Sequence, residues 1–301
     1  MIIKKTTILI SMILLLSCKK NTVENQIVTF FIISDWGWNG NAEEDSVANQ
    51  MENQFSKLKP KFIVTAGDNF QYLGVTSITD SLWKINYENV FSKNLLSIPW
   101  YATLGNHDYN GNVDAQIQYT SINKNWIMPS RYYTFTKNTI NGSSIQFIVL
   151  DTQDFILKYN SLTDTSNAKN IKQIQWLKQT LTDSKCKWKI VIGHHPILSA
   201  GLHGNTKEMY TIIKPILEYY NVDFYICGHD HDFEHAQIQN KNTEYVVTGT
   251  GGNARSIKRN AQTIFCLSTN GFTNMSITDK SAEFDFINCD GQKVYSYIKS
   301  K

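Results

Sequence analysis

Cysteine and proline are both scarce in this chain, with five of each in 301 residues. No two cysteines stand at Cys-x-x-Cys spacing, which excludes the common structural zinc modules. Cys227 falls inside the apolar run Phe224-Tyr225-Ile226-Cys227 and reads as a small buried hydrophobe. Cys266 and Cys289 are a pair that an oxidising compartment could join. There is no Pro-, Gly- or Ser-rich linker and no internal repeat, which argues for one domain. No basic stripe interleaves with aromatic residues, and the formal charge is only +3, so nothing marks a nucleic-acid surface.

A membrane-spanning run is missing too. The apolar stretch Ile8 to Leu16 is too short to cross a bilayer. It follows Lys4-Lys5 and ends in Leu15-Leu16-Ser17-Cys18, the pattern of a bacterial lipoprotein signal, with Cys18 as the lipid attachment. An ordinary cleaved signal with an incidental cysteine is the plainer alternative. Residues 1–17 then form the signal peptide, 18–26 a polar tether and 27–301 one folded domain. The expected location is the bacterial cell envelope, with the lipid anchor as the only membrane contact.

What is present is a large apolar reserve, 42% of residues, enough for an extensive core. Ile27 to Ile33 is a continuous apolar run, as expected of a strand buried on both faces. Asn41 can cap a helix carrying Val47, Met51, Phe55 and Leu58, which Pro60 ends. Strands are expected at 62–65, 100–104, 145–150, 188–192 and 223–227. Helices are expected around Leu82 to Phe91, Ile171 to Leu181 and Met209 to Tyr220, with Pro215 kinking the last or starting a new turn. Beyond Tyr245 short strands predominate, at 245–248, 263–267, 274–278, 282–287 and 294–298. The pattern is α/β.

Polar islands follow most of the apolar runs: Asp35-Trp36-Gly37, Gly67-Asp68-Asn69, Gly105-Asn106-His107-Asp108, Gly193-His194-His195-Pro196, His203-Gly204 and Gly228-His229-Asp230-His231. In α/β folds, ligands gather where such runs end. Asp35, Asp68, Asn106, His194, His229 and His231 together offer two carboxylates, an amide oxygen and three imidazoles. Mixed nitrogen and oxygen ligation suits Zn, Fe, Mn or Co and argues against a calcium-only site. Six ligands exceed the needs of one ion and suit two ions sharing a carboxylate, a pair that can clamp a phosphoryl group and activate water. His229 and His231 must lie on a turn if both are to reach the ions. His107 and His203 lack an obvious ligand partner and are placed to protonate a leaving group. His195 is expected only to hydrogen-bond nearby, and His235 to line the pocket rim.

With these islands the chain resembles the calcineurin-like metallophosphoesterases. It is most similar to the small, mammalian-type purple acid phosphatases, also called tartrate-resistant acid phosphatases. The resemblance runs from Phe31 to about Lys299. It includes Gly111-Asn112-Val113, Ala115-Gln116-Ile117, Trp126 to Tyr132, Gln175-Trp176-Leu177-Lys178 and Cys227-Gly228-His229-Asp230-His231. It implies an αββα sandwich of mixed sheets flanked by helices. Asp35, Asp68 and His231 would bind the first ion. Asp68, Asn106, His194 and His229 would bind the second, with Asp68 bridging and His107 and His203 touching the phosphate. The cofactors would be two divalent or trivalent ions, Fe, Zn or Mn. Where the family carries a tyrosine ligand three residues after the bridging aspartate, this chain has Gln71, with Tyr72 one position on. The first site therefore either lacks a phenolate or recruits Tyr72 through a bent loop. Phe155 to Ala168 falls where the family has a loop over the site mouth, and is expected to act as a lid.

The expected activity is hydrolysis of a small phosphomonoester by in-line attack of a metal-activated hydroxide. Two rivals remain: a phosphodiesterase or nucleotidase using the same site, and a non-catalytic binding lipoprotein whose first metal site has decayed at Gln71.

Overall fold

The computed structural model describes residues 27–139, 141–156 and 164–301. The expected signal peptide, Cys18 and the expected tether lie outside the described residues, as do residues 157–163 of the expected lid. No helix of the described residues is long and apolar enough to cross a membrane.

Two seven-stranded mixed sheets lie face to face. The first runs β14 (Lys293–Ser300), β13 (Ser281–Asn288), β12 (Gly271–Ile277), β1 (Val28–Ile33), β2 (Ile63–Thr65), β3 (Trp100–Tyr101), β4 (Trp126–Ile127). The second runs β11 (Thr263–Leu267), β9 (Phe233–Gln237), β10 (Glu244–Thr248), β8 (Phe224–Cys227), β7 (Trp188–Ile192), β6 (Ser144–Val149), β5 (Tyr133–Asn138). In each sheet four consecutive strands are parallel, β1 to β4 in one and β6, β7, β8 and β10 in the other.

Side-chain alternation explains why both faces of the central strands are apolar. Phe30 and Ile32 of β1 meet Phe147, Ile190 and Val246 of the other sheet in the shared core. Phe31 and Ile33 point outward and pack beneath helix α1 (Ala42–Leu58) with Val47 and Met51. The opposite outer face, with Ile148 and Val191, is covered by α4 (Asp164–Asp183) and α5 (Lys214–Tyr219) through Leu177, Leu181, Ile216 and Leu217. The result is an αββα sandwich.

Helix α1 also organises the site. Asn41 caps it, its side chain accepting from Glu44 N–H at 2.7 Å, a contact that contributes about 1 kcal/mol. Glu44 in turn accepts from the backbone N–H groups of Gly37 at 2.6 Å and Trp38 at 3.0 Å, which clamps the turn following β1.

Several local expectations are corrected. The helix expected near Leu82 to Phe91 is a single wide turn over Trp83–Glu88, followed by the short α2 (Lys93–Leu96). The strand expected at 100–104 stops at Tyr101. Pro215 does start a new turn, as one of the two expectations had it: it sits in the first turn of α5, where its missing N–H costs nothing. The short α3 (Val113–Tyr119) and strands β4, β5 and β9 carried no clear periodic signal. Among the described residues Cys186, Cys227, Cys266 and Cys289 are all free. Cys266 lies on β11 at the edge of one sheet, whereas Cys289 follows β13 of the other and packs against that sheet's outer core.

Candidate active site and metal centre

Parallel register places the polar islands side by side. Ile33 of β1 pairs with Thr65 of β2, so Asp35 and Asp68 leave the first sheet together. Ile192 of β7 pairs with Ile226 of β8, so His194 and His229 leave the second sheet together. Within each set the turns are laced, Asp35 N–H donating to Gly67 O at 3.1 Å and Gly228 N–H to His194 O at 3.1 Å, and His229 N–H joins the two sets by donating to Asp35 Oδ2 at 2.9 Å. Gly228 is needed for that approach, since a Cβ there would fall 1.9 Å from Ser34 Oγ and 2.3 Å from Asp35 Oδ2. Asp35, Asp68 and His229 hold left-handed backbone angles, φ 55°, 50° and 71°. Each such residue costs roughly 1 kcal/mol, and strain of this kind concentrates where side chains must converge.

The convergence is tight. His194 Nε2 lies 3.1 Å from Asn106 Oδ1, 3.3 Å from Asp68 Oδ2 and 3.3 Å from His229 Nδ1. His231 Nε2 lies 3.3 Å from Asp35 Oδ1. The other ring nitrogens are committed: His194 Nδ1–H donates to Ala66 O at 3.0 Å and His231 Nδ1–H to Asn253 O at 2.8 Å. Those bonds fix the tautomer and aim each Nε2 lone pair into the cluster. Asp68 Oδ1 accepts from His107 N–H at 2.8 Å, and Asp35 Oδ2 from Ser34 Oγ at 2.7 Å and His229 N–H at 2.9 Å. Asp35 Oδ1 is buried with no hydrogen-bond partner among the described residues. Donor atoms ~2.1 Å from a common ion stand ~3.0–3.4 Å apart along the edges of octahedral or tetrahedral shells. The observed separations match those edges, so the donor set fits metal ions. Asp35, Asp68 and His194 each place a ligand atom within 4.8 Å of the others.

Electrostatics point the same way. Burial pushes the Asp68 carboxyl up, but the charge and hydrogen bond of His194 outweigh it and hold it at about 2. Burial lowers His194, yet Asp68 and then Asp35 draw it up to about 9. The two carboxylates thus favour a cation in this space, whether proton or metal ion. His229 is held well below the ordinary histidine range by burial and then by its crowding with other imidazoles. A neutral imidazole is the form that ligates.

The outer residues fall into two groups. His203 and His107 line the mouth, with side chains 39% and 34% exposed. His203 Nδ1 bonds Asp230 Oδ1 at 2.9 Å, and its ring lies 4.2 Å from that of His229. His107 Nε2 lies 4.0 Å from Asp68 Oδ2. Gln71 is buried, while Tyr72 turns outward, 53% exposed, against Trp38. His195 is buried, and Thr152 Oγ1 sits 2.8 Å from its Nδ1. His235 is a correction: it does not line the rim. It lies between the sheets on β9, bonded to Tyr295 and Glu244, because its partner in the ladder, Val246, faces the shared core.

Two supporting residues stood inside the sequence islands without a role. Asp108 accepts from Gly105 N–H at 2.8 Å, Asn69 N–H at 3.1 Å, Phe70 N–H at 3.2 Å and Gln116 Nε2 at 2.8 Å, which ties two ligand turns together. Asp230 is buried and orients His203. Only their places between the ligands could have flagged them.

A four-layer sandwich with carboxylates and imidazoles converging at its strand ends defines a metal-dependent phosphoester hydrolase. Residues 28–233 match the calcineurin-like phosphoesterase family, and the chain belongs to it. Purple acid phosphatase 4 of Arabidopsis thaliana is 32% identical over 91% of this chain and 84% of its own length. Tartrate-resistant acid phosphatase type 5 of Homo sapiens is 32% identical over 88% of this chain and 89% of its own. Among solved structures, one described as GAP50, the anchor in the inner membrane complex of Plasmodium, superposes with a TM-score of 0.82. It is 24% identical, with 91% of this chain and 89% of that chain covered, and shows the shared fold. With these relatives, the protein is a metallophosphatase that depends on divalent or trivalent metal ions.

Proposed function

We propose that this protein hydrolyses small phosphomonoesters at a dinuclear centre. Asp35, Asp68 and His231 would hold the first ion; Asp68, Asn106, His194 and His229 would hold the second, with Asp68 shared. The observation that carries this reading is the meeting of Asn106, Asp68 and His229 on one nitrogen, His194 Nε2, at 3.1–3.3 Å. When bound, such ions supply positive charge for the phosphate oxygens and acidify water. The chain's own groups do the rest. Asp68 stays ionised, and the fixed tautomers of His194 and His231 keep their lone pairs turned inward. His203, held by Asp230 through Nδ1, presents Nε2 to the leaving-group oxygen and delivers a proton there, with His107 as its counterpart on the other loop.

We assign the protein to the cell envelope, exported and anchored through lipid on Cys18. The support is the pattern of residues 1–18, which lies outside the described residues. Replacing Cys18 with Ser should release the protein into the soluble fraction; continued membrane association would refute the anchor.

The test of the activity compares a phosphomonoester with a phosphodiester on metal-loaded protein, alongside Asp68→Ala and His194→Ala. Monoester turnover should dominate, and both variants should lose metal and turnover together. A preference for diesters would move the assignment to a phosphodiesterase. Full activity in either variant would reject the site.

A further inference from the structure

Gln71, like Asp232 after His231, is buried near the site with every side-chain polar atom unpartnered. It is 2% exposed, and neither amide atom, Oε1 nor Nε2, has a hydrogen-bond partner among the described residues. Buried side-chain amides nearly always have partners, so one lacking both asks for an explanation. Its neighbours are otherwise engaged. Phe70 packs against Trp36, Trp83 and Trp126, and Tyr72, at φ 64°, turns its ring out against Trp38. Gln71 N–H donates to Gly37 O at 3.1 Å, which pins the residue to the turn that begins at Asp35. That turn holds a second buried oxygen without a partner, Asp35 Oδ1, 3.3 Å from His231 Nε2. Two buried oxygens without partners on joined turns, Gln71 Oε1 and Asp35 Oδ1, the latter beside an imidazole nitrogen, are both satisfied by a cation.

We propose that Gln71 contributes a neutral amide oxygen to the first ion and that both ions are divalent. The inference rests on the dinuclear reading above. With Gln71 included, the donors carry only two negative charges, those of Asp35 and Asp68; the amides and imidazoles are neutral. A hard trivalent ion is favoured by anionic oxygen, and this set offers no phenolate, since the Tyr72 ring faces solvent. Zn, Mn or Fe(II) fits the charge. The centre then has no Fe(III)–phenolate pair to give a charge-transfer band, and the protein is not purple.

The test uses the full protein, metal-depleted and titrated with Mn(II), read by electron paramagnetic resonance and by mass-spectrometric metal counting. Wild type should take up two ions. Gln71→Leu should lose one of them or bind it about 10–100-fold more weakly, the scale seen when a metal's immediate surroundings are altered. Gln71→Glu, which restores an oxygen and adds charge, should hold both ions at least as tightly as wild type. Gln71→Tyr loaded with Fe(III) should gain a visible charge-transfer band absent from wild type. If Gln71→Leu, with unchanged circular dichroism, still binds both ions at wild-type affinity, the amide is not a ligand, although the dinuclear reading survives. The same holds if Gln71→Glu binds more weakly. A strong visible band in wild type would overturn the divalent assignment. A single ion in wild type would remove the dinuclear reading itself and this inference with it.

Discussion

His203 is held by Asp230 at two points on one oxygen: Oδ1 accepts the ring Nδ1–H at 2.9 Å and the backbone N–H at 2.8 Å. The other carboxylate oxygen takes the Ser199 hydroxyl. Burial would push the Asp230 carboxyl up, but the bonds from His203 and Ser199 hold it below its usual range. An ionised, buried aspartate therefore fixes both the place and the tautomer of a ring at the pocket mouth, the ring proposed above to protonate the leaving group.

Asp230→Asn keeps the shape but removes the charge that orders the ring. Turnover should fall about 10–100-fold, at the lower end of what general acid catalysis contributes, with bound metal unchanged. Steady-state kinetics and metal counting check this. Unaltered turnover, or loss of the ions, would mean that Asp230 acts elsewhere.

Gly228→Ala places a methyl 2.3 Å from Asp35 Oδ2 and 1.9 Å from Ser34 Oγ, with no room for either side chain to stay. The variant should bind metal at least about 100-fold more weakly, the upper end of the range for disturbed metal surroundings. Metal titration followed by mass spectrometry tests it, and wild-type affinity would show that the two turns are not locked as described.

Metal removal should lower thermal stability as well as activity, because ions that bind only the folded chain stabilise it by mass action. At a free concentration 100 times Kd the gain per ion is about 2.7 kcal/mol. The melting temperature should therefore climb with added Zn or Mn. A melting temperature indifferent to both metal and chelator would contradict a metal centre built from these residues.

Four buried carboxyls are raised chiefly by burial: Glu44, Asp108 and Asp151 to about 7, and Asp232 to about 8. Each binds a proton more firmly folded than unfolded. Their contribution to stability is complete below about pH 4, the ordinary carboxyl range, and is lost as pH rises through 7 to 8. His194, drawn up to about 9 despite its burial, adds in the same direction. Asp68, lowered to about 2, opposes this only below about pH 4. In chelator, the urea midpoint should be higher at pH 5 than at pH 8. Equal or reversed midpoints would show that these carboxyls stay ionised.

The candidate ligand residues were legible because most follow an apolar run, and a strand end in an α/β fold is where such a side chain meets its neighbours. His229 and His231 could be assigned to a turn by parity alone, and the bends at 229–232 carry them. Strand β9 was not legible, because Glu234 and His235 are polar residues that would be expected in solvent and are instead buried, Glu234 accepting from Thr263 on the outer face and His235 bonded to Glu244 and Tyr295 between the sheets. Cys266 and Cys289 were a pair that an oxidising compartment could join, and their places on different sheets keep them free.

Sequence by itself determined the class of fold and the family and marked the candidate donor residues, since periodicity and local residue identity are properties of the chain. Tertiary structure alone decided that Asp108 and Asp230 serve the ligands, that Tyr72 faces outward while Gln71 is enclosed, and that Gly228 must be bare. The reason is physical: each of those facts depends on how closely turns from two sheets approach, and that distance is set by packing across the core, not by any residue's neighbours in the chain.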